Sequence, residues 1–285
     1  MSDAWPNRVS IGDFVADNSD DLDFRATAKL SGWGAPPIRL AMDDRASQDG
    51  AWDATPQYGA RVITVEGVVD APSHEHAQLV ADSLTSLSLK TLHEFVVDNI
   101  AIGPRSSWVR LEVGADPEWL SPECFTYTLQ LRAPDPLKYG PVAFSQATLA
   151  GALPGTGLTF PMSFPLDFGV PAGVTPGALG VENTGTAAYF PRLRLDGPVT
   201  NPVVTLAETG DQIRFAGTVA AGQWLDIDPG RRRVLLNGLV SMRHLVTFVG
   251  NWLAVPVGGA TVSWTADTAD PAATLSCWSF EGAWS

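Results

Sequence analysis

Along most of this chain hydrophobic and polar residues alternate in short runs, which is the period of a half-buried β-strand. The clearest run is Phe125–Ala133: Phe125, Tyr127, Leu129 and Leu131 take one side, and Thr126, Thr128, Gln130 and Arg132 the other. In Ala60–Val69, Val62, Thr64 and Glu66 alternate with Ile63, Val65 and Gly67. Ile38–Met42, Glu94–Asp98 and Ser107–Val113 also have strand composition. One segment follows a helical period instead. Ser73, just after Pro72, is an N-cap residue, Glu75 lies in the first turn where the dipole favours an acid, and Ala77, Val80, Leu84 and Leu87 form a stripe. The first half therefore predicts an antiparallel sheet or small barrel covered by one helix.

The second half predicts strands only: Tyr189–Asp196, Pro202–Ala207, Asp211–Phe215, Gln223–Asp228, Arg231–Leu236, Leu245–Phe248, Thr261–Ala266 and Thr274–Phe280. Inward pairs such as Leu193/Leu195, Ile213/Phe215, Leu225/Ile227 and Val262/Trp264 recur, and Pro229–Gly230 and Asn237–Gly238 supply turns. Regular short strands without helices predict a β-sandwich. Between the halves, Pro134–Gly177 holds 8 Pro and 7 Gly in 44 residues, the composition of a linker. Its core, GLTFPMSFPLDFG, spaces Phe160, Phe164 and Phe168 four apart with prolines between, which excludes a regular helix and predicts an extended arm whose rings dock on a surface. The organisation read from sequence is thus residues 1–140, a linker arm over 141–177 and a sandwich over 178–285.

Charge separates the halves further. The net charge is −13, and residues 1–140 carry 11 basic and 21 acidic side chains against 7 and 10 in the remainder. Such a surface does not wrap nucleic acid, whose phosphates demand Lys and Arg. No apolar stretch approaches the roughly 18 residues of a membrane span, and no basic-then-apolar leader opens the chain. Cys124 and Cys277 fall in different halves and read as two free thiols.

Enzymatic signatures are thin. His74–Glu75–His76 puts two histidines on different helix faces, and HExxH, GxSxG, GxxxxGK[ST] and GxGxxG do not occur. The oxygen-rich run from Asp17 to Asp23 lacks the Gly and the closing Glu of a calcium loop. No catalytic residue, metal ligand or cofactor is assigned. Trp224, Trp252 and Trp278 are weak candidates for stacking on a sugar ring, although most Trp in small sandwiches pack in the core. Arg231–Arg233 reads as a solvated hairpin corner.

Several segments together resemble the distal tail protein of long, flexible-tailed bacteriophages, particularly those infecting actinobacteria. They are GARVITVEGVVDAPS (Gly59–Ser73), preceded by the Asp49–Gly50 step, then YTLQLRAPDPLKYG (Tyr127–Gly140) and the Phe-Pro arm. ENTGTAAYFPRLRLDGPVTNP (Glu182–Pro202) and TGDQIRFAGTVAAGQWLDIDPGRRRVLLNG (Thr209–Gly238) complete them. The resemblance implies a mainly β protein with an N-terminal belt domain and a galectin-like sandwich. It implies a homo-hexameric ring, without catalysis, that joins the tail tube to tail-tip or baseplate hub and tape-measure proteins in the virion, with DNA only as passing cargo. A carbohydrate-binding module for host cell-wall glycan is the alternative. On this reading Phe160, Phe164, Phe168, Ile63 and Val65 are expected at contacts between domains or copies. Asp17, Asp20, Asp21, Asp23, Asp43 and Asp44 are expected at the lumen, where acid repels phosphate. Open sheet edges in the belt are expected to be completed by neighbouring copies.

Overall fold

A computed structural model describes residues 8–17, 25–148, 150–153, 173–175, 177–270 and 272–285. The chain divides into two compact units, residues 1–141 with 284–285, and residues 142–283. The protein is mainly β, with one α-helix among the described residues.

The first unit is a barrel that closes on itself. Its antiparallel order runs Cys124–Ala133, Arg61–Asp70, Arg25–Ala26, Phe14–Asp17, Arg8–Ile11, His93–Asp98 and Arg105–Val113, and the last strand pairs back onto the first. The long pair sets the frame: Cys124–Ala133 and Arg61–Asp70 stay in register over ten residues, from Cys124 opposite Asp70 to Ala133 opposite Arg61. Alternation then sends Ile63, Val65, Val69, Phe125, Leu129 and Leu131 inward, all essentially inaccessible. Of the sheet and the small barrel that the sequence predicts, the structure has the barrel: the backbone groups of these strands pair with one another around the circle, and Glu118–Ser121 lies at an edge, paired with Cys124–Ala133 alone. The two short strands that complete the circle, Arg8–Ile11 and Phe14–Asp17, turn over at Gly12, whose φ is +56°. Their four-residue length left too little alternation to read.

The helix spans His74–Thr85 and starts as expected, with the Ser73 hydroxyl accepting from the His76 N–H at 3.2 Å. It buries Ala77, Ala81 and Leu84, and Leu87 follows into the same core. At Gly67 the barrel wall is tightest. A Cβ there would sit 1.8 Å from the Thr27 carbonyl oxygen, and the Tyr127 hydroxyl donates to that same oxygen at 2.7 Å.

The second unit is a sandwich. One sheet orders Val142–Thr148, Thr274–Phe280, Arg192–Asp196, Trp224–Asp228, Arg233–Leu236 and Val240–Ser241. The other orders Gly177–Val181, Ala260–Thr265, Val203–Leu206, Gln212–Phe215 and Val246–Val249. Inward residues include Leu193, Leu195, Leu225, Ile227 and Leu275 from the first, and Val204, Ile213, Val262 and Trp264 from the second. The stretch read as a linker begins with Val142–Thr148, a strand in register with Thr274–Phe280 throughout. Gly177–Val181 is likewise a strand, hidden by its GALGV composition. The Arg231–Leu236 strand starts two residues late, at Arg233, because Pro229–Arg232 forms a tight turn closed by the Arg232 N–H on the Pro229 carbonyl, with Arg232 at φ +54°. Asn237 and Gly238 take φ of +51° and +70°, as a two-residue hairpin turn requires.

Candidate assembly surfaces

The most conspicuous feature outside the two cores is a hairpin arm between Pro37 and Gly59. Its paired pieces are Ile38–Arg39 with Gln57–Tyr58 and Asp43–Asp44 with Ala51–Trp52. The Gly59 N–H donates to the Pro37 carbonyl at 2.7 Å to close the base, and the Arg45 N–H donates to Gly50 near the tip. Every residue from Pro37 to Gly50 is exposed. Ile38, Leu40, Met42, Trp52 and Tyr58 are exposed by 66, 50, 48, 64 and 47%. A two-stranded hairpin is marginal in water, and this one buries little in its own unit.

The arm is rooted on buried cations. Arg61, fully buried, donates through Nη1 to the carbonyls of Gly32, Trp33 (3.0 Å) and Gly34, and through Nε and Nη2 to Pro136 at 3.1 and 2.8 Å. Lys138 Nζ donates to Trp33 and Gly34 at 3.0 and 3.1 Å. Both cations approach the Trp33 ring, whose edge meets Phe95. Burial draws the Arg61 guanidinium below its ordinary pKa. The clamp ties the segment entering the arm, the strand leaving it and the 134–138 turn into one knot. An inward Arg at the start of an apolar strand carried no signal in the sequence.

The structure places the sequence candidates as follows. Ile63 and Val65, expected at contacts between domains or copies, are wholly enclosed in the barrel's own core, because their positions on the strand point inward; Val62, Glu66 and Val68 form its exposed face. Phe160, Phe164, Phe168, Asp20, Asp21 and Asp23 lie outside the described residues. Asp17 ends a barrel strand opposite Arg8 and Ala26. Asp43 and Asp44 are exposed on the arm, opposite Trp52 and Ala51. The structure therefore separates Asp17 from the arm pair by place in the fold: one ends a barrel strand, the other two ride on the hairpin.

Of the three Trp considered for sugar stacking, two are engaged by their own unit. Trp224 Nε1 donates to Asp226 at 3.0 Å and its face is covered by the Arg194 guanidinium at 4.3 Å. Trp252 packs on Phe248, with Arg243 over both rings. Trp278, 37% exposed, lies 5.2 Å from Phe144, itself 58% exposed. His74 contacts the Pro122 carbonyl through Nδ1 and leans on Trp119, as a helix-start residue docked on the adjacent turn. No group of three metal-ligating side chains occurs among the described residues, and none of the described helices is long and apolar enough to cross a membrane.

The two thiols differ. Cys277 is fully buried, and burial pushes its pKa up to about 12 against a smaller lowering by the Ser145 hydroxyl opposite it. Cys124 is half-buried and raised chiefly by burial, then by the neighbouring Asp70 carboxylate. At pH 8 a thiol reagent is therefore expected to titrate only Cys124 in the native protein, with Cys277 appearing on unfolding; fast labelling of both would contradict this burial. The raised Cys277 pKa favours the neutral thiol in the fold. Its contribution is complete below the ordinary value of 9.0 and is lost as pH rises toward 12, so alkaline melts should show falling stability across that window at up to about 1.4 kcal/mol per pH unit. A Cys277→Ala variant is expected to flatten that slope.

With this geometry in hand, the class of the second unit can be stated: residues 184–277 match the family model for the siphovirus-type tail component, C-terminal domain. That segment is similar to a siphovirus-type tail component, and the chain as a whole has a Dit-like fold. Among solved structures it resembles the phage SPP1 Dit protein, described as a paradigm of the hub adsorption apparatus of phages infecting Gram-positive hosts, with a TM-score of 0.56 at 16% identity over 88% of this chain and 91% of that one. It also resembles a chain of the phage p2 baseplate in its activated conformation with Ca, with a TM-score of 0.51 at 12% identity over 95% and 97%. No curated protein matches the chain.

Proposed function

We propose that this tail component acts as a distal tail ring: six copies join through their barrel units around a hollow axis, link the tail tube to the tail-tip or baseplate hub and tape-measure proteins, and let DNA pass. Assembly takes place in the host cytoplasm and the ring ends in the virion. The observation that carries this reading is the tail-component domain at 184–277, on a chain whose fold follows the SPP1 Dit protein over 88% of its length. The barrel supports it chemically, because its interior is a structural core of packed apolar side chains. Carboxylates at Asp17, Asp20, Asp21 and Asp23, or at Asp43 and Asp44, line or approach the lumen and keep phosphate from sticking.

The test is the mass and shape of the purified full chain. Light scattering over a concentration series is expected to reach six copies, and negative-stain images to show a ring with a central hole. A single-copy mass at every concentration, or a ring whose lumen is basic, would overturn the proposal.

A further inference from the structure

We draw no further inference here: the strongest candidate, the exposed apolar surface of the hairpin arm at residues 37–59 with Leu40, Met42 and Trp52, carries none because nothing in the structure shows what covers it.

Discussion

An Arg61→Leu variant is expected to lose about 3–5 kcal/mol of barrel stability, read as a lower urea midpoint at unchanged slope. Arg61 is inaccessible to solvent, and its guanidinium supplies donors to the carbonyls of Gly32, Trp33, Gly34 and Pro136. Leucine fills part of the volume but leaves those oxygens without their donor, and each buried, unpaired group costs about 1–3 kcal/mol. Lys138 still reaches Trp33 and Gly34, so Pro136 and Gly32 bear most of the loss. Arg61→Lys is expected to fall between the two, since one ammonium cannot span the two sides of the knot as the planar fork does. The loss has a local face as well. With its root loosened, the arm should open more often than the barrel, and limited proteolysis is expected to cut between residues 35 and 60 first. A midpoint indistinguishable from wild type would show that the clamp is dispensable.

Asn183→Ala is expected to be as damaging to the sandwich, again by about 3–5 kcal/mol. The Asn183 amide is 2% exposed and uses both ends. Its nitrogen donates to the carbonyls of Ala187, Val255 and Pro256 at 3.0, 3.2 and 3.0 Å, and its oxygen accepts from the Gly185 and Ala283 N–H groups at 3.1 and 3.3 Å. It thereby stitches three separate stretches of chain. The space admits nothing else: a Cβ on Gly185 would fall 1.9 Å from the Ala283 carbonyl oxygen. Asn183→Asp keeps the shape and makes a sharper probe. It replaces the amide donors with acceptors that face three carbonyls, so the folded state favours the protonated acid and raises its pKa. Stability of that variant is then present at pH below about 4, the unfolded carboxyl value, and lost as pH rises. A larger deficit against wild type at pH 7 than at pH 4 is expected in thermal melts. Equal deficits at both would mean that shape, not donor pattern, is what this site requires.

Both residues show where reading the sequence stopped. Arg61 opens a strand whose inward positions are otherwise apolar, and Asn183 lies in an Asn-Thr-Gly stretch that reads as an ordinary turn. Neither has a local signature, because the groups they satisfy are backbone carbonyls brought together from distant parts of the chain. The Ser73 cap and the Ala77–Leu84 stripe were legible because they depend on residues three and four apart. The strands of the second half were legible for the same reason. Val142–Thr148 and Gly177–Val181 were not, since prolines and glycines around them carry the composition of a connection while their pairing partners lie far along the chain.

Local pattern by itself determined that this protein is β-rich, where its one described helix starts, which faces of the long strands are apolar and that two β units follow one another. Those properties follow from spacing of two or three to four residues, which any short window contains. Tertiary structure alone decided that the barrel closes within one chain, that Ile63 and Val65 are interior and not available to a neighbour, and that apolar residues between Ile38 and Tyr58 stand out on a hairpin. Closure depends on Arg105–Val113 meeting Cys124–Ala133, and exposure depends on what fails to pack against a segment; both are set by contacts between residues remote in sequence, which no local period encodes.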